Sequence, residues 1–254
     1  MNLVLAQMLV EPGRPRENLA RAGERIAAAA SAGAEIVLLP ECLDVGWTHS
    51  SARDLAGAVP DGESCQRLRA AAARHRVFVC AGLVESSEPD LFNAAVLIDP
   101  GGRVVLHHRK IHELDFARDR YATGDRLGVA ETPWGRVGVM ICADGFAPGQ
   151  VISRTLAAMG ARVILSPCAW AVPADHDHAR DPYGALWLDN YGPVCRDTGV
   201  VIAGCSNVGP ITAGPWAGRI CIGNSLVVGA DGEIARGTYG VTADELVQAT
   251  RPIC

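Results

Sequence analysis

Three apolar runs in this chain end on residues that can do chemistry. AEIVLLPE closes on Glu41, RVVLHHRK on Lys110 and RVGVMIC on Cys142. In α/β sheets, sites gather beyond the carboxyl ends of strands, where loops diverge and side chains converge. A carboxylate, an ammonium and a thiol would meet there. A free thiol has a pKa of about 8.5 and is mostly protonated at neutral pH. A neighbouring ammonium favours the thiolate, and a carboxylate can take its proton and later pass it to a leaving amine. The ammonium and the backbone N–H of Ala143, directly after the thiol, would then hold a tetrahedral oxyanion.

Taken singly, each residue also has a plainer reading. A cysteine ending an apolar strand is commonly a small buried hydrophobe. Glu41 fits an acid at a helix N-terminus, and Lys110 fits a solvated strand end. Composition adds weight to Lys110, because the chain has 22 arginines and this single lysine. A lysine kept against so strong a preference for arginine points to a need for a compact ammonium that can lose its proton.

Periodicity gives the strands and helices around these residues. Strands are expected over residues 2–10, 34–40, 77–84, 91–98, 103–108, 136–141, 162–165, 200–204, 222–229 and 233–236. Asp99-Pro100-Gly101-Gly102 and Asp231-Gly232 supply turns. Helices are expected over 16–32, stopped by Gly33, and over 64–75, 148–159, 183–198 and 242–250. Gly192 and Pro193 interrupt the fourth of these. The mixture of βα units and hairpins argues an α/β fold with a mixed sheet under helices, or two sheets back to back. No repeat or linker divides the chain, so residues 1–254 read as one domain.

Bulk properties exclude several functions. Of 254 residues, 49% are hydrophobic and 20% charged, with a net charge of −5, which is ordinary for a globular domain. No basic stripe interleaved with aromatics points to nucleic acid, and no run has the length of a membrane span or the form of a signal peptide. Nine cysteines without CxxC spacing suit reduced thiols in a cytoplasm rather than a disulfide scaffold.

In combination, LLPE, HRKIH and GVMICAD resemble the three signature segments of the nitrilase superfamily, the thiol-dependent carbon–nitrogen hydrolases. The likeness extends over LPECLDVGW, AGLVE, LFNAAVLIDPGGRVVLHHRKIH, ILSPCAW and GNSLVVGADGEI, which is nearly the whole chain in order. It implies a four-layer αββα sandwich with two mixed β-sheets. Glu41 would be the general base, Lys110 the oxyanion-stabilising cation and Cys142 the acyl-forming nucleophile. It also implies a homodimer formed through the helices near the nucleophile, a small-molecule substrate and no cofactor.

Two departures bear on the substrate. Many members carry a second glutamate shortly before a Gly-Asp pair, but here the stretch before Gly124-Asp125 holds Arg118 and Asp119. Asp119 with a shorter reach, Glu113 swung inward and a vacant role are the readings left open. True nitrilases usually carry Cys-Trp-Glu, whereas Cys142-Ala143-Asp144 is more like the amidase and carbamoylase branches, which favours an amide or N-carbamoyl substrate over a nitrile. Trp170, Trp47 and Trp187 are candidate pocket walls, with Trp170 favoured because ILSPCAW adjoins the nucleophile strand. His176 and His178 lie in PADHDHARDP, read as a polar loop over the entrance in preference to a metal site. Strand alternation puts His108 and not His107 on the face of Lys110.

Overall fold

The first half of the chain, in a computed structural model that describes residues 1–249, builds one sheet and its helical cover. In order come β1 (Leu3–Gln7), α1 (Pro15–Ser31), β2 (Ile36–Leu38), the single turn α2 (Ala52–Leu55), α3 (Glu63–His75), β3 (Phe78–Ser87), β4 (Asp90–Ile98) and β5 (Val104–Arg109). The second half runs β6 (Val129–Thr132), β7 (Gly135–Val139), α4 (Val151–Ala158), β8 (Ala161–Cys168) and β9 (Ala171–Pro173). It continues with α5 (Ala185–Thr198), β10 (Val201–Ser206), β11 (Val208–Pro210), β12 (Arg219–Ile222), β13 (Leu226–Gly229), β14 (Gly232–Arg236) and β15 (Glu245–Gln248).

Two six-stranded sheets result, with strand orders β15-β1-β2-β3-β4-β5 and β14-β13-β10-β8-β7-β6, and a small sheet β11-β12-β9 flanks them. Both large sheets are mixed. The β1–β2, β2–β3, β7–β8 and β8–β10 pairs are parallel and the hairpins antiparallel. Strand alternation explains the layering. Leu3, Leu5, Ile36, Leu38, Cys80 and Leu97 of the first sheet share one apolar core with Val137, Val139, Val163, Leu165, Ala203 and Val227 of the second. The opposite face of the first sheet packs on Leu19, Ala22, Ile26 and Ala29 of α1 and on Leu68 and Ala72 of α3, a helical spacing that makes one apolar stripe. The outer face of the second packs on α4 and α5. This is the αββα sandwich.

Three expectations need correction. Residues 242–249 form no helix: Glu245–Gln248 is β15, antiparallel to β1, and Thr250 lies outside the described residues. An edge strand seals β1, and Val247 is buried in the inter-sheet core, which outweighs a weak local helical preference. The expected strand over 222–229 is broken at Gly223 and Asn224, both with left-handed φ, so its two halves join different sheets. Residues 148–150 form a 3₁₀ turn ahead of α4. By contrast, α5 continues through Pro193, because Trp187, Tyr191, Val194 and Cys195 bury one face of it. Gly199, at φ 75°, ends it in the left-handed conformation that glycine adopts at least cost.

Candidate active site

The ends of β2, β5 and β7 converge where the two sheets meet. Glu41 follows β2, and its backbone N–H donates to the carbonyl of Cys168 at the end of β8 (3.2 Å), a link between sheets. Cys142 follows β7 with φ 43°, and Cys42, beside Glu41, has φ 46°. Both are non-glycine residues in the left-handed region, where a side chain costs on the order of 1 kcal/mol or more. The Cys142 N–H donates to Ser166 Oγ of β8 (3.1 Å), which holds this turn against its neighbouring strand.

Lys110 is buried to 1% exposure. Its Nζ donates to Glu41 Oε1 at 2.8 Å and faces Glu113 Oε2 at 3.5 Å. Burial alone would lower its pKa, but Glu113, Glu41 and the Cys142 sulfur outweigh burial and hold the ammonium well above its ordinary range. The second carboxylate beside the lysine is therefore Glu113. The chain turns at Ile111 and His112, whose N–H groups both donate to Asp144 Oδ1 (3.1 and 2.7 Å). That turn brings Glu113 back toward the lysine. Asp119 is exposed on the loop surface and is not the replacement.

Glu113 is buried, and neither of its carboxylate oxygens has a hydrogen-bond partner among the described residues. Burial pushes its pKa up to about 7. Lys110 pulls against that rise, while Glu41 and Asp144 add to it. The Cys142 thiol is also raised well above its ordinary range, by the Cys168 thiol, burial and the Glu41 charge, against the pull of Lys110. Lys110 thus does not by itself produce a resting thiolate. A base has to take the proton as the sulfur attacks.

Two further positioning residues lie within the quoted motifs, although neither was assigned a role from sequence. Asn93 of β4 is fully buried. Its Nδ2 donates to Glu41 Oε1 (2.6 Å), its carbonyl accepts the Lys110 N–H (2.8 Å), and its Oδ1 accepts from Cys42 Sγ (3.4 Å). The available signal was an amide inside the apolar strand LFNAAVLI, since a buried polar group needs partners. Asp144 accepts from His108 Nε2 (2.8 Å), the Ile141 N–H (2.9 Å) and the two loop N–H groups. It ties the lysine loop to the cysteine turn. His108 lies on the buried face as expected and is bound to Asp144, whereas His107 points to Glu85 (2.9 Å).

Cys142 and Lys110 open onto a cavity of about 200 Å³. The expected walls Trp47, Trp170 and Trp187 all line it, and so does Ala143, expected as an oxyanion donor. Phe146, Tyr183 and Trp216 line it too and were not singled out from sequence, since an aromatic residue in a loop shows no periodicity. His178 stacks on Tyr239 (3.7 Å between centroids) and its Nδ1 accepts the Tyr183 N–H (3.1 Å), so this loop is anchored beside a pocket wall.

Residues 5–253 match the carbon–nitrogen hydrolase family. A nitrilase of Pyrococcus abyssi is 34% identical over 178 residues, which are 68% of this chain and 66% of that protein. An omega-amidase of Xenopus tropicalis is 32% identical over 199 residues, which are 74% and 70% of the two chains. The matched part is thus about two thirds of these relatives' length. A solved structure of a variant amidase from Nesterenkonia sp. AN1 carries the acetamide moiety of fluoroacetamide covalently on its active-site cysteine. It superposes with a TM-score of 0.82 over 99% of this chain and 90% of that one, at 23% identity. Fold, motif order and sequence agree: the chain belongs to the carbon–nitrogen hydrolase family, the nitrilase superfamily.

Proposed function

We propose that the protein is a thiol-dependent amidase that cleaves a small linear amide or N-carbamoyl compound, with Cys142 as nucleophile, Lys110 as oxyanion-stabilising cation and Glu41 as general base. The observation that carries this reading is the fully buried Glu41–Lys110 ion pair (2.8 Å), whose lysine lines one cavity together with Cys142. A buried pair of this kind contributes little to stability, so a chemical role accounts for it better.

Cys142 Sγ attacks the amide carbonyl as its proton passes to Glu41, which the neutral resting thiol requires. The carbonyl oxygen becomes negative beside the Lys110 ammonium. Collapse expels ammonia or an amine with the proton held by Glu41 and leaves an acyl thioester. Water then gives a proton to Glu41 and attacks the thioester carbonyl. The acid leaves and the proton returns to sulfur. Glu113 keeps the ammonium charged and in place from its other side.

The Cys-Ala-Asp word favours amides, while the similarity to a nitrilase makes nitrile hydrolysis the second reading. Paired amide and nitrile forms of one acyl group separate the two. The test is ammonia release with wild type, Cys142→Ser, Lys110→Met and Glu41→Gln, together with intact-protein mass spectrometry for the acyl adduct on Cys142. Each substitution should lower turnover by at least about 1,000-fold, since members of such a unit do not act independently. Full turnover in any of the three rejects the assignment.

The same reading takes residues 1–254 as one domain, supported by the core shared between the sheets. It takes the protein as a cytoplasmic homodimer. The eight cysteines among the described residues are free thiols, and no helix among those residues is long and apolar enough to cross a membrane. Val151 of α4 and Leu186 and Leu188 of α5 are 56%, 50% and 36% exposed, an apolar face suited to a second copy.

A further inference from the structure

We infer that the pocket selects amides with a small, uncharged, apolar acyl group, aromatic or branched alkyl, and rejects amides whose acyl chain ends in a carboxylate. This rests on the amidase reading and names its substrate class. The volume, about 200 Å³, is below the ~300–1,000 Å³ usual for drug-sized ligands, so the acyl group is small.

The walls are aromatic and propped from behind. Trp170 stacks on Trp187 (4.7 Å), and Trp47 meets Trp216 edge-on (5.0 Å). Phe116 stacks behind Trp216 (5.1 Å). Flat, braced ring faces suit a planar or branched apolar group. The Tyr183 hydroxyl already accepts from Trp187 Nε1 (2.9 Å).

Charge decides the exclusion. Among the described residues lining the cavity, Lys110 is the one cation, and its ammonium already faces Glu41 at 2.8 Å and Glu113 at 3.5 Å. A substrate carboxylate would enter a mostly apolar pocket whose one ammonium already faces two carboxylates behind the wall, and the Trp47 and Trp170 Nε1 groups, the buried wall donors without a partner, are neutral and cannot balance its charge. Burying an unpaired charge is among the most costly placements in a protein. Arg219 stacks on Trp216 (4.3 Å to the centroid) and is not a wall of the cavity.

The experiment titrates Cys142→Ala protein with benzamide, 4-methylpentanamide and succinamate at pH 8. The last two share a chain length, with a carboxylate in place of an isopropyl group. Four of the five tryptophans line the cavity, so indole fluorescence reports occupancy directly. Both neutral amides should bind at least about 100-fold more tightly than succinamate, and kcat/KM of the wild type should show the same order. Succinamate binding as tightly as 4-methylpentanamide, or neutral amides failing to saturate the signal, overturns the inference. Tight binding of the neutral amides without ammonia release by wild type would reject the amidase reading and uphold the selectivity.

Discussion

Replacing Glu113 by glutamine isolates the second carboxylate beside Lys110. The substitution keeps the shape and removes the ionisation. Burial lifts the wild-type carboxyl from the ordinary 4.5 to about 7, so the folded protein holds a proton that the unfolded chain releases near pH 4.5. Stability from this group is complete below 4.5 and is lost as pH rises through about 7. Between pH 5 and pH 8 the loss amounts to about 2.5 kcal/mol. For a chain of this size that is a fall of roughly 5–10 °C in Tm. Urea unfolding of wild type and Glu113→Gln at pH 5, 6, 7 and 8 reads the difference, and the wild type should lose about 2.5 kcal/mol more than the variant over that range. The slope is the diagnostic quantity, because the new amide shifts both ends equally. Parallel profiles, within about 0.5 kcal/mol, would refute a buried Glu113 beside Lys110 and return the second carboxylate to an open question.

Two further substitutions probe the scaffold. Asp144→Asn leaves His108 and three backbone N–H groups facing an amide in place of a carboxylate. It should cost about 3–5 kcal/mol in urea unfolding at pH 7. Burial would raise the Asp144 pKa, but His108 and the N–H donors hold it below the carboxylate range. Its contribution is therefore present above the ordinary carboxylate pKa and is lost as pH falls through the depressed one, so wild type and variant converge in acid. A cost below 1 kcal/mol would show that the lysine loop does not depend on Asp144. Gly82→Ala would place a Cβ 2.6 Å from Glu41 Cα and 2.8 Å from the Pro40 carbonyl oxygen. Backbone there cannot yield as a side chain can. Stability should drop by about 1–3 kcal/mol, and ammonia release by about 100-fold as Glu41 is displaced. Wild-type turnover in a folded Gly82→Ala protein would contradict the close approach of β3 to the Glu41 turn.

The chemistry-bearing strand ends are legible in the chain. Glu41, Lys110 and Cys142 each terminate an apolar run, and a buried strand has a local signature: a short apolar stretch, then a turn. The stripe on α1 shows one buried helix face, but β1 and β2 are apolar on both faces, so periodicity left a mixed sheet under helices and two sheets back to back both open, and the αββα order came from the family resemblance. How the loops return depends on partners far away in the chain. Glu113 reaches Lys110 because Asp144, distant in sequence, gathers the Ile111 and His112 N–H groups, and no spacing rule within the loop encodes that partner. The same holds for Asn93, whose three partners Glu41, Cys42 and Lys110 lie on two other segments, and for Trp216, Tyr183 and Phe146, which become walls only when their loops meet. Residues 245–248 carry a pattern too short to distinguish helix from strand. Pairing with β1 decided it, since an open sheet edge leaves backbone groups without partners and the strand supplies them.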